Sequence, residues 1–160
     1  MVSLKPESII IGIDPGTQIT GYGIIKLTKN GVSPLDFGCI RPPQKAILSE
    51  RYYIIFQAIQ GLLSQYGPIE MAIETQFFAL NAQSALKLSI AQGVAIIAAK
   101  EKKLKIFPYS PREVKCAIVG TGKATKEQLQ GAVARYLNLK ALPKPYDAAD
   151  ALALALCHTA

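Results

Sequence analysis

The chain has 160 residues, half of them apolar and 18% charged, which fits one buried core and excludes a disordered tail or a coiled coil. Residues 1–160 are therefore read as a single domain. Eighteen basic against 11 acidic side chains leave a formal charge of +7, which favours a polyanion or an anionic surface as partner.

The first apolar run, Ile9 to Ile13, is β-branched and stops at Asp14-Pro15-Gly16, so it predicts a buried strand and a turn. Residues 20–28 predict a second strand, joined to the first as a hairpin. Residues 34–41 predict a third, stopped by Pro42-Pro43 because proline donates no ladder hydrogen bond. Leu48, Tyr52, Ile55, Ile59 and Leu62 recur at steps of three and four, the period of one helix face, so residues 46–66 predict a helix. Met71-Ala72-Ile73 predicts a short strand ending at Glu74. Asn81 is a candidate cap for a long helix to about residue 103, rich in alanine and glycine. Such small residues let another backbone approach, either this chain's own sheet or a second copy. Residues 104–107 predict a strand closed by Pro108. Helices follow over 111–118, 126–137 and 147–158, with Pro111 suited to a first turn.

Three strands, helix, strand, helix, strand and then helices describe an α/β fold. The expected architecture is a mixed five-stranded sheet flanked by helices, in the order of a ribonuclease H-like fold. Cys39, Cys116 and Cys157 are far apart with no CxxC pair, against a disulfide framework or zinc site; reduced, partly buried thiols are expected. Residues 1–8 carry no signal pattern. The apolar run at 151–157 is much shorter than the roughly 20 residues a bilayer needs. The expectation is a soluble, cytoplasmic protein with no membrane partner.

Four acids occupy element ends. Asp14 closes the first strand and Glu74 the fourth; Asp147 and Asp150, three apart, share a face near the start of the last helix. If strands one and four are neighbours, all four can meet in the crevice at the strand ends. Such a cluster repels itself and raises its own pKa values unless cations intervene. Oxygen donors suit Mg²⁺ or Mn²⁺, and two Mg²⁺ ions clamp a phosphodiester for direct hydrolysis. Each acid also has an ordinary reading: Asp14 as a turn residue, Glu74 as a strand-end acid, Asp147 as a helix cap. Their joint placement favours a shared site.

Four segments now resemble a known family. Ile11-Gly12-Ile13-Asp14-Pro15-Gly16 with Thr20-Gly21-Tyr22-Gly23 is similar to the opening of the RuvC family of bacterial Holliday junction resolvases. Glu74-Thr75-Gln76-Phe77 with residues 81–88 resembles its second motif. Val114-Lys115 through Gly120-Thr121-Gly122-Lys123-Ala124-Thr125-Lys126 resembles its basic loop region, and Asp147-Ala148-Ala149-Asp150 its closing helix. The segments run in order over nearly the whole chain. The resemblance implies a homodimer that places paired symmetric nicks in a four-way DNA junction during recombination and repair, and that works with the RuvA–RuvB branch-migration complex. It implies a Mg²⁺-dependent endonuclease, with Mn²⁺ as substitute and two ions per subunit. It places Asp14, Glu74, Asp147 and Asp150 on the metal-binding catalytic acids, Lys115 and Lys126 on basic positions needed for activity, and Phe77 on an aromatic that contacts unstacked bases.

Lys123 and Arg112, beside the glycine loop, are further candidates for phosphate contact, with a solvated surface as the alternative. Phe78 is expected to pack or to face a dimer partner. Tyr52, Tyr53 and Phe56 are expected in core or interface. The lysines of 101–105 read as a solvated helix end. His158 could neighbour a metal or serve as a last-turn residue suited to the helix dipole. Gly16 and Gly21 could cradle a phosphate. The Gly120–Thr125 segment lacks the Lys-Ser/Thr pair of a P-loop. An actin- or Hsp70-like ATP-binding module also opens with a strand, an Asp and a Gly-Thr turn, but needs a second lobe. A non-catalytic nucleic-acid binder would have no use for four acids facing phosphates.

Overall fold

The computed structural model describes residues 6–75 and 81–160; Phe77 and Phe78 lie outside them. Chain order is β1 (Ile9–Asp14), β2 (Thr20–Thr28), β3 (Gly31–Ile40), α1 (Leu48–Tyr66), β4 (Glu70–Glu74), α2 (Ala82–Glu101), β5 (Lys105–Tyr109), α3 (Pro111–Val119), α4 (Lys126–Tyr136) and α5 (Tyr146–Cys157). The five strands form one sheet in the order β3-β2-β1-β4-β5. β1, β2 and β3 are antiparallel neighbours, whereas β4 lies parallel to both β1 and β5. The sheet is mixed, as expected from a hairpin followed by helical crossovers.

Two strands run further than the prolines predict. β3 spans Gly31–Ile40 and contains Pro34, with the register slipping at Ile24/Ile25 beside it. β5 continues through Pro108 to Tyr109. Both are edge strands, where a missing N–H can face away from the ladder. α1 starts at Leu48 rather than residue 46, because the preceding residues turn and Ala46 N–H donates to the Pro43 carbonyl. Leu48 is exposed, and Leu63 joins Ile55 and Ile59 in the core.

Strand alternation divides the core between the sheet's two faces. Ile11, Ile13, Ile24, Met71 and Ile73 pack with Ile55 and Ile59 of α1 and Ala95, Ala98 and Ala99 of α2. Ile10, Ile25 and Ala72 pack with Val114, Leu129, Val133 and the apolar residues of α5. Asn81 caps α2, its side chain accepting from Ser84 N–H at 2.8 Å. By length and composition α2 could cross a membrane, a property that counting unbroken apolar runs misses. In the fold its alanines pack in the core beneath α1, while Leu86, Ile90 and Ile97 remain exposed. Of the aromatic residues on α1, Tyr52 and Phe56 are half-buried but Tyr53 is largely exposed.

The position of α5 is dictated by missing side chains. Gly12 and Gly23 are register partners, and Gly21 pairs with Asp14. A Cβ on Gly12 would lie 2.0 Å from the Ala151 carbonyl oxygen, one on Gly21 2.1 Å from that of Asp147, and one on Gly23 2.6 Å from Leu152 N. These three glycines let the helix backbone sit directly on the strands, and its alanines keep the approach close. Gly21 is therefore not a phosphate cradle: the space beside it is filled by α5.

Candidate active site

Parallel pairing of β1 with β4 brings Ile13 opposite Ile73. Asp14 and Glu74 consequently end adjacent strands at the same edge of the sheet. α5 begins over that edge, and Asp147 and Asp150 project from its first turns. Asp147 is inside the helix rather than at its cap, which is Pro145. All four acids line one cleft of about 390 Å³, together with Lys115, Lys126, Pro15, Gly16, Pro111 and Leu129.

Local sequence fixes each contributor. The turn after Asp14 is pinned by Thr20, whose hydroxyl donates to Gly16 O at 2.7 Å and accepts from Gly16 N–H at 3.2 Å. A Cβ on Gly16 would lie 2.2 Å from the Ile19 carbonyl oxygen, so the turn requires glycine. Ser110 and Glu113 form a reciprocal capping box at the start of α3, with Pro111 in the first turn, and this sets the direction from which Lys115 reaches the cleft. Thr125 and Gln128 do the same for α4 and leave Lys126 at its first residue. A cation there opposes the helix dipole.

The electrostatics are those of crowded carboxylates. Burial, then the charges of Glu74 and Asp150, raise the Asp14 pKa well above its ordinary value. Side-chain contact with Glu74 adds to the rise at Asp14, as crowding of two carboxyl groups does. Burial and the Glu74 charge push Asp150 to about 6, with Lys126 and Lys115 pulling the other way. Among the described residues no three histidine, cysteine or acidic side chains are already gathered as a metal-ligand set. The donors nevertheless fit a hard divalent cation: carboxylate oxygens from three elements on one cleft, with an excess of negative charge to neutralise.

Other candidates separate from this group. Arg112 and Lys123 are exposed and are not among the residues lining the cleft; the Arg112 side chain instead covers Gly122. His158 lies elsewhere, buried, with Nε2 2.7 Å from Glu70 Oε2 and Nδ1 2.7 Å from the Tyr109 hydroxyl. Glu70 begins β4 and Glu74 ends it, so His158 is no neighbour of the acidic cleft. Cys157 is buried, Cys39 half-buried and Cys116 exposed, all free. Lys102, Lys103 and Lys105 are exposed, as expected of a solvated helix end. Sequence reasoning missed the glycine seat of α5 and Tyr146, the residue before Asp147. The seat's signal was Gly12 of β1 and Gly21 and Gly23 of β2 falling on one face of the sheet opposite the helix alanines.

Comparison with known proteins places these features in a family. The family model described as crossover junction endodeoxyribonuclease RuvC matches residues 10–158. The chain is 52% identical over 155 residues to the crossover junction endodeoxyribonuclease RuvC of Protochlamydia amoebophila, covering 97% of this chain and 92% of that protein. It is 48% identical over 151 residues to the Pseudomonas putida protein of the same name, covering 94% and 86%. Among solved structures, Thermus thermophilus RuvC in complex with a Holliday junction substrate superposes with TM-score 0.89 at 32% identity, over 95% of this chain and 93% of that one.

Proposed function

Because the chain belongs to the RuvC family of crossover junction endodeoxyribonucleases, with the family's ribonuclease H-like fold, we propose that it resolves four-way DNA junctions with Asp14, Glu74, Asp147 and Asp150 as its catalytic, metal-holding residues. The observation that carries this reading is their convergence, from two strands and one helix, on a single cleft that also holds Lys115 and Lys126.

A pair of divalent cations, Mg²⁺ with Mn²⁺ as substitute, would neutralise the carboxylates, activate water and stabilise the departing oxygen. The chain's own residues do the rest. The two strand ends fix Asp14 and Glu74 on a rigid edge. α5 sets Asp147 and Asp150 opposite them. The ammonium groups of Lys115 and Lys126 attract the scissile phosphate and oppose charge that accumulates on it as the bond breaks. Raised acid pKa values mean that protons must leave before cations enter.

Arg112 and Lys123, outside the cleft lining, would extend phosphate contact along a junction arm. Phe77, beyond the described residues, would stack on an unpaired base near Glu74. Residues 1–160 act as one domain, and a homodimer supplies the second site that paired cuts need. Leu86, Ile90 and Ile97 are 63%, 45% and 58% exposed along α2, an apolar stripe suited to a second copy across a two-fold axis. RuvA–RuvB is the proposed branch-migration partner, and the cytoplasm the proposed location.

The test is a labelled synthetic four-way junction incubated with and without Mg²⁺. Paired nicks at symmetric positions only with metal, and binding without cleavage by Asp14→Asn, are expected. Metal-independent cleavage, or full activity in Asp14→Asn, would overturn the assignment.

A further inference from the structure

Tyr146 opens α5 directly before Asp147. It is not among the residues that line the cleft; its side chain lies across the start of α4. The hydroxyl donates to Glu127 Oε1 at 3.0 Å. The ring faces the neighbouring residue, with Lys126 Nζ 5.8 Å from its centroid, within reach of a cation–π attraction. One side chain therefore grips two consecutive residues of the α4 first turn by two different interactions.

Lys126 needs such a grip. At the first residue of α4 its charge is repelled by the helix dipole, and a long lysine in water has many rotamers to visit. Glu127 beside it is a ready competitor for the ammonium. The Tyr146 hydroxyl holds one oxygen of that carboxylate, and the ring offers the ammonium an electron-rich surface. The same element carries Asp147 and Asp150, so the clamp ties the lysine's position to that of the acids it faces.

We infer that Tyr146 is a positioning residue for phosphodiester cleavage, holding the Lys126 ammonium at the acidic cleft by engaging its charge with the ring and Glu127 with the hydroxyl. This rests on the assignment of Lys126 to the site.

The experiment is a double-mutant cycle in the full-length protein. Single-turnover cleavage of a saturating four-way junction with Mg²⁺ is measured for wild type, Tyr146→Leu, Tyr146→Phe, Lys126→Met and the Leu/Met double variant. Junction affinity is measured without divalent cation, and thermal melting checks that each variant is folded. Tyr146→Leu is expected to slow cleavage about three- to tenfold with affinity within about twofold. Tyr146→Phe, which keeps the ring over Lys126, should recover most of that loss. In the Lys126→Met background, Tyr146→Leu should have no further effect. Equal slowing in both backgrounds would overturn the inference, as would a Tyr146→Leu loss confined to affinity, which would make the ring a DNA contact. Wild-type cleavage by Lys126→Met would remove Lys126 from the site and this inference with it, whereas slow cleavage by Lys126→Met with normal Tyr146→Leu would sink the clamp alone.

Discussion

Gly21 and Asp147 meet without room for a side chain: a Cβ on the glycine would lie 2.1 Å from the aspartate's carbonyl oxygen and 2.6 Å from its carbonyl carbon. The obstacle is backbone, so a rotamer change cannot relieve it. α5 must lift from the sheet at the point where it carries a proposed catalytic acid. Gly21→Ala should lower stability by about 1–3 kcal/mol and slow cleavage by at least about 100-fold, since roughly 1 Å of misplacement has that effect. Denaturant melts and junction cleavage on the folded fraction measure the two. A variant as active as wild type would show that α5 need not sit where the glycine allows.

The crowded acids make stability depend on pH with a definite sign. Asp14 and Asp150 hold protons more tightly folded than unfolded, so the folded state gains relative stability at low pH. That contribution is lost as pH rises from the ordinary carboxylate range of about 4 through the folded value of about 6 for Asp150. In metal-free buffer at pH 7, Asp150→Asn should be more stable than wild type by about 1–2 kcal/mol after allowing for solvent screening, and should not cleave. Added Mg²⁺ should narrow the difference by stabilising wild type. A destabilised Asp150→Asn would contradict the repulsion.

Cleavage should follow the same protonation. At limiting Mg²⁺ the single-turnover rate should fall as pH drops below about 6, the value to which Asp150 is pushed, because protonated carboxylates do not bind cations. Raising Mg²⁺ should shift the fall to lower pH. A rate indifferent to metal concentration across this range would argue against carboxylate ligation.

The buried Glu70–His158 pair gives a control at the far end of β4. Removing the imidazole in His158→Ala leaves Glu70, 4% exposed, without that partner, and should destabilise the fold by about 3–5 kcal/mol. Cleavage by the protein that remains folded should be close to normal, since neither residue lines the cleft. Specific activity at low temperature, set against the melting curve, separates the two effects.

The α2 stripe makes a prediction about assembly. Ile90→Glu or Ile97→Glu should turn the proposed dimer into monomers in sedimentation while leaving the fold intact, because both side chains are exposed in the single chain. Coordinated paired nicking should fall more than binding of one junction arm. A wild-type chain that sediments as a monomer at working concentration would place the second cutting site elsewhere.

Much of this protein was written locally. The β-branched run ending at Asp14, the helical spacing of Ile55 and Ile59, the cap Asn81 and the first-turn Pro111 define elements through interactions a few residues long. The acids were identifiable because they stand at element ends. The sequence could not say that the third strand begins before Pro34 or that Pro108 lies within a strand, because proline's tolerance depends on whether a strand is at an edge, which is a property of the whole sheet. Nor could it place His158. Its partners, Glu70 and Tyr109, lie 88 and 49 positions away, and no local pattern encodes such a meeting.

What the chain order determined by itself was the inventory: the strands and helices, and four carboxylates with two lysines at strand ends or in the first two turns of helices. Tertiary structure alone decided that β1 and β4 lie side by side, that three glycines let α5 descend onto the sheet, and that Tyr146 reaches across to Lys126. The reason is range. Hydrogen-bonded periodicity and capping act over a few residues, whereas charge repulsion, burial and close backbone approach act between residues that only the folded chain makes neighbours.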